Sequence, residues 1–83
     1  PDFYNIINYA KENRKIINIG KNLNYYELIC GYVKELDENF AIIDAIDQNS
    51  GEVYDEFEID INEIKYIEVE SIDNILIDYV NRK

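Results

Sequence analysis

Carboxylates are the residues of this chain with the most chemistry to offer. Asp47, Asn49, Asp55 and Glu58 have the most suggestive spacing among them. They stand at positions 1, 3, 9 and 12 of an EF-hand-like loop, in which oxygen ligands converge on calcium. The turn glycine of such a loop belongs at position 6, where this chain has Glu52; Gly51 is one place early. The flanks read as strands rather than helices. The segment is therefore read as a hairpin loop, and no metal is expected. Asp55, Glu56, Glu58 and Asp60 also run along one segment. Paired catalytic carboxylates need a concave, partly dry site that drives their pKa values apart, and an outer strand face supplies none.

The other usual reagents are scarce. The chain has no His, which removes the commonest general base at neutral pH and the commonest transition-metal ligand. Its single cysteine, Cys30, sits among Leu28, Ile29 and Tyr32 and reads as a buried structural thiol. Gly20, Gly31 and Gly51 are isolated, so no phosphate-cradling loop is present. No enzyme and no cofactor are expected.

Charge is the stronger signal. The formal net charge is −10 and unevenly spread. Residues 1–34 hold five bases (Lys11, Arg14, Lys15, Lys21, Lys34) against three acids, a net of +2. Residues 35–80 hold 15 acids against Lys65 alone, a net of −14. Such a surface repels polyanions and attracts cationic partners. It also keeps a small domain soluble without any more specific role.

These residues need elements to position them, and 83 residues make one domain. Phe3, Ile6, Ile7 and Ala10 form an apolar stripe that predicts a helix over 2–13, capped by Asp2. Strands are predicted at about 15–19, 25–36, 40–46, 53–61 and 65–70. Gly31 predicts a bend or bulge in the second strand. Asp37-Glu-Asn39 is a tight acidic turn. In the fourth strand Val53, Phe57, Ile59 and Ile61 face one way, with Asp55 the exception; Tyr54, Glu56, Glu58 and Asp60 face the other. Ile72, Ile75, Leu76, Tyr79 and Val80 form a second helical stripe, over 72–81. The expected fold is mainly β, of the α+β type: a strongly bent five-stranded antiparallel small barrel with an N-terminal and a C-terminal helix.

An N-terminal helix followed by five strands resembles the Sm-like (LSm, Hfq-like) barrel, a relative of SH3-like barrels. The resemblance rests on Gly31-Tyr-Val-Lys-Glu-Leu-Asp-Glu-Asn-Phe-Ala-Ile-Ile43 and on Ile59-Asp-Ile-Asn-Glu-Ile-Lys-Tyr-Ile-Glu-Val69. It spans roughly residues 2–70. It implies an RNA-binding protein that assembles as a ring, the fourth and fifth strands of neighbours pairing. The family's base-reading Asn is replaced here by Ala41. Its Arg-Gly or Lys-His pair before the last strand is replaced by Asn62-Glu63. The resemblance thus supports the barrel more than the RNA binding.

The functional expectation is a non-enzymatic interaction or regulatory module. Its surface is Tyr54, Glu56, Glu58 and Asp60, and its partner is a protein with a basic surface. A concrete form is an immunity-type or antitoxin-type inhibitor. Nucleic acid is not the expected partner, while a homo-oligomer stays open. Tyr25, Tyr26 and Tyr32 form a further aromatic stripe that fits either a contact surface or a barrel cover. No apolar run is long enough for a membrane span. One cysteine and no secretory leader in this sequence lead to an expected cytoplasmic location. The start at Pro1 and the absence of Met lead to the expectation of an excerpt or a processed product.

Overall fold

The computed structural model describes residues 2–21 and 28–69. Helix α1 (Phe3–Glu12) leads into strands β1 (Ile16–Gly20), β2 (Ile29–Leu36), β3 (Phe40–Ile46) and β4 (Val53–Asp60). A single 3-10 turn, Ile61–Glu63, then joins β4 to β5 (Tyr66–Val69). The predicted helix 72–81, and Tyr25 and Tyr26, lie outside the described residues.

Local chemistry sets both ends of α1. The Asp2 side chain accepts from the Asn5 N–H at 3.2 Å, satisfying one of the free donors of the first turn. At the other end Arg14 adopts φ 52°, a left-handed position usually given to glycine. That twist lets Lys15 N–H reach the Ala10 carbonyl at 2.8 Å and Arg14 N–H reach that of Lys11 at 3.3 Å. The Arg14 guanidinium lies 5.5 Å from the Tyr32 ring centroid, a cation–π contact that offsets part of the backbone strain. Ile7 and Ala10 are buried and Phe3 packs beside them, but Ile6 is 37% exposed. The apolar stripe is therefore narrower than its spacing implied.

The strands form one antiparallel sheet in the order β4-β3-β2-β1-β5, open among the described residues. Ile17, Ile19, Ala41, Ile43 and Ile59 share a buried cluster with Ile7, Ala10 and Ile64. Ile67 and Val69 of β5 join the same cluster, so both edge strands lean on one core. The opposite face carries a smaller cluster of Ile16, Cys30 and Ile46. Strand boundaries differ modestly from the sequence reading. β2 opens at Ile29, with Leu28 outside it, and β4 ends at Asp60 because the Asp60 side chain accepts from Asn62 N–H and starts the turn.

The irregularities fall where backbone pairing forces them. β2 keeps regular register at Gly31 and bulges at Lys34, between Val33 and Glu35. Gly31 is required for a different reason. A Cβ there would lie 2.8 Å from the Asp44 carbonyl carbon and closer still to its oxygen. A second bulge, opposite Ala45 and Ile46, places two residues of β4 where one would pair. Val53 consequently pairs with Ile46 rather than joining Phe57 and Ile59 on the core side, and it is 58% exposed. The alternation that placed Val53 in the core fails because the extra residue reverses its face.

The β2–β3 turn is tied by Asp37. Its Oδ1 accepts from the N–H groups of Asn39 and Phe40, each at 2.8 Å, and these bonds hold its pKa below the ordinary value.

Two expectations follow from these contacts. Gly31→Ala should lower unfolding free energy by about 1–3 kcal/mol, since β3 must move away from β2. An unchanged denaturation midpoint would contradict the close approach. For Asp37 the folded pKa is depressed, so its contribution is present above the unfolded aspartate pKa, about 4, and is lost as pH falls through the folded value. Asp37→Asn can keep the turn but cannot titrate, so acid melts of the variant should lack that part of the stability loss.

Candidate interaction surface

The geometry of β4 follows from one hydrogen bond beyond its end. Ile61 N–H donates to the Asn39 carbonyl at 2.9 Å, so residue 61 points its backbone at β3. Antiparallel pairs alternate, and the register Phe40↔Asp60 through Ala45↔Asp55 is unbroken. Residues 59, 57 and 55 therefore bond to β3. The backbone N–H and C=O groups of Glu56 and Glu58 point away from it, toward an edge that no described strand covers, where Asp55 Oδ1 accepts the Glu56 N–H at 2.7 Å. Side chains alternate on the other axis. Ile59 is buried and Phe57 packs on the core, so Glu56 and Glu58 project from the outer face.

The structure brings three of the four predicted surface residues to that face as exposed side chains. Tyr54 is 65% exposed. Glu56 and Glu58 are exposed too. Asp60 shares the face but is only partly exposed and caps the 3-10 turn through Asn62 N–H at 2.8 Å. The sequence did not show that a lysine already docks here. Lys34, thrown outward by the β2 bulge, reaches Glu56 with its Nζ 2.5 Å from Oε1. That hydrogen bond, with the carboxylate charge behind it, raises the Lys34 pKa. An open groove of about 610 Å³ begins at Lys34, its lining including Lys11, Glu35, Asp37, Phe40 and Glu58.

The other candidates separate. Asp47 folds the β3–β4 loop on itself, accepting from Asn49 N–H at 2.7 Å and Ser50 N–H at 3.1 Å. Asp55 pairs with Ala45 and Glu58 with Ile42, so these two carboxylates lie on opposite faces and do not converge with Asp47. Cys30 is buried; desolvation pushes its thiol pKa up, partly offset by a hydrogen bond with Gln48. Asn18 was overlooked in the sequence because it interrupts an apolar strand. It is buried, and its Nδ2 donates to Glu68 Oε1 at 3.2 Å, while Glu68 Oε2 accepts from the Tyr66 hydroxyl at 3.1 Å. Its own Oδ1 has no partner among the described residues.

The bases of the first half do not make one patch. Lys21 lies 3.6 Å from Glu63, Arg14 sits over Tyr32, and Lys11 lines the groove. Lys15 and Lys21 flank β1 at opposite ends. Ala41 is fully buried. The β2–β3 turn and the 3-10 turn do meet, through the Ile61–Asn39 bond. Asp37, Glu38, Asp60 and Glu63 line that meeting point along the chain.

No protein family, curated protein or solved structure matches this chain. Among the described residues, no helix is long and apolar enough to cross a membrane.

The Asn18 network gives one expectation. Asn18→Asp would remove a donor and set a second carboxylate beside Glu68 in a buried place. Burial and like charge would raise its folded pKa, so the cost is full at neutral pH and recedes as pH falls toward the ordinary aspartate value, about 4. A loss of about 3 kcal/mol at pH 7 is expected. Equal stability across that range would show that Asn18 and Glu68 are not coupled. For Cys30, thiol reagents should label the native protein far more slowly than the denatured chain. Equal rates would contradict its burial.

Proposed function

We propose that this chain is a non-enzymatic protein-interaction module. Its acidic β4 face captures a partner with a basic surface, as an immunity-type or antitoxin-type inhibitor captures a basic nuclease. One observation carries the reading. Tyr54, Glu56 and Glu58 stand exposed together on an edge strand, and a lysine of the chain itself already binds there. Tyrosine beside carboxylates offers amphipathic contact area and charge steering in one place. Steering of this kind speeds encounter and weakens as salt rises.

A second reading has its own support. An N-terminal helix, five antiparallel strands and a single 3-10 turn before β5 support an Sm-like layout. The edges at β4 and β5, open among the described residues, are those that a ring of such subunits would pair. RNA binding fits less well, because carboxylates occupy the meeting point of the two turns and the bases are dispersed.

The test is a titration of fluorescent RNA and DNA oligonucleotides at about 0.15 M salt, beside the mass of the protein in solution and capture of basic proteins on wild-type and Glu56→Lys/Glu58→Lys bait. The expected result is no appreciable oligonucleotide binding, and an identified basic protein held by the wild type and lost by the double variant. Sub-micromolar oligonucleotide binding abolished by Lys11→Glu plus Lys15→Glu, with a ring-sized mass, would replace this reading with the Sm-like one.

A further inference from the structure

We infer that β4 takes up one further strand from its partner, an extended segment in which Lys or Arg alternates with apolar residues. The inference rests on the proposed acidic-face function and specifies the partner's conformation and side-chain pattern.

Backbone geometry supplies the first half of the argument. Glu56 and Glu58 direct their backbone groups to an edge that no described strand covers; Asp55 Oδ1 accepts the Glu56 N–H at 2.7 Å, which leaves the Glu58 N–H and the carbonyls of both residues facing that edge. An edge strand of eight residues is a template for a further strand unless something blunts it. Inward charge and proline are common blunting devices, and β4 has no proline. Its one inward charge, Asp55, accepts the Glu56 N–H and blunts the edge at that residue; the carboxylates of Glu56 and Glu58 project from the outer face, where they select the incoming strand. Strand addition is a recurring way to bind an extended segment, with backbone bonds giving affinity and alternate side chains giving choice.

Register supplies the second half. Residues opposite each other in a ladder share a face. The residue opposite Glu56 lies beside its carboxylate on the outer face, and so does the residue opposite Glu58. The residues opposite Phe57 and Ile59 continue the inner face, where Phe57 packs on the core and Ile59 is buried. The fitting sequence is thus basic, apolar, basic, apolar. The Lys34–Glu56 contact shows the outer-face half of this pattern within the chain.

The same pairing disfavours a second copy as the occupant. The other open edge, β5, is Tyr66-Ile-Glu-Val69, so its central outer-face charge is Glu68. Set against β4, it would place a carboxylate beside carboxylates, and like charges directly opposite are destabilising. The occupant is a different chain with the opposite charge.

The test uses fluorescein-labelled Lys-Val-Arg-Val-Lys-Thr-Lys, the same residues in block order, and the alternating peptide N-methylated at every second amide. Binding is followed by anisotropy at about 0.05 M salt, where surface charges are weakly screened. The alternating peptide should bind wild type, with the block peptide and the N-methylated peptide each about tenfold weaker or worse. Glu58→Pro should reduce binding of the alternating peptide to a similar extent. That substitution removes an N–H that β3 does not use, so the fold tolerates it, as a melting curve will check. Should the variant not fold, the N-methylated peptide against wild type decides alone. Equal binding of all three peptides would overturn strand addition and leave the acidic-face function standing. Failure of every basic peptide to bind correctly folded wild type would overturn both.

Discussion

At Gly31 the backbone of β2 lies against the Asp44 carbonyl so closely that no Cβ fits between them. That contact determines how tightly β3 can follow β2, and β3 in turn carries β4 along its whole length. In a domain this small one core must serve every element. Ile43 and Ala41 of β3 meet Ile17 and Ile19 of β1 and Ile7 of α1 in a single cluster. Separating β2 from β3 would loosen the cluster and leave β4 without a backing. The outer face depends on the same contact, because Tyr32, Asp44 and Glu56 stand in one row across β2, β3 and β4.

The two bulges divide the labour between stability and recognition. The bulge at Lys34 interrupts β2 where its ladder to β3 is least buried, and it sends a lysine across the sheet to Glu56. The ion pair is solvent-exposed and worth little to stability. Its significance lies in showing where a cation settles. The bulge near Val53 turns that side chain outward beside Tyr54, adding exposed apolar area to one end of the acidic strand. Each departure from regular pairing thus enlarges the outer face of β4 while leaving Ile59 and Phe57 on the core.

Much of this was readable from side-chain period alone. The alternation of Phe57, Glu58, Ile59 and Asp60 gave the two faces of β4, and Asp37 with Asn39 gave the hairpin turn. The helix was readable from Ile7 and Ala10, though its stripe was drawn too wide at Ile6. What escaped was anything fixed by a neighbouring strand. An extra residue opposite Ile46 cannot be counted from β4 alone, so Val53 was assigned to the wrong face. Gly31 announced a special position but not its kind, because a bulge and a close approach ask for the same residue. The edge position of β4 depends on the order of all five strands, and the Lys34–Glu56 contact bridges residues that are distant in sequence.

The central claim is that β4 presents an acidic edge, open among the described residues, whose Glu58 N–H and outward carbonyls are available to a partner. Amide hydrogen exchange of the free protein tests this directly, because exchange reads each N–H separately. The account predicts alternation along one strand. Phe57 and Ile59, bonded to β3, should exchange slowly; Glu58, facing the edge, should exchange at a rate near that of an exposed amide, with the Glu56 N–H, bonded to Asp55 Oδ1, between the two. Protection of Glu58 equal to that of Phe57 and Ile59 would show that the edge is already covered and would contradict the account.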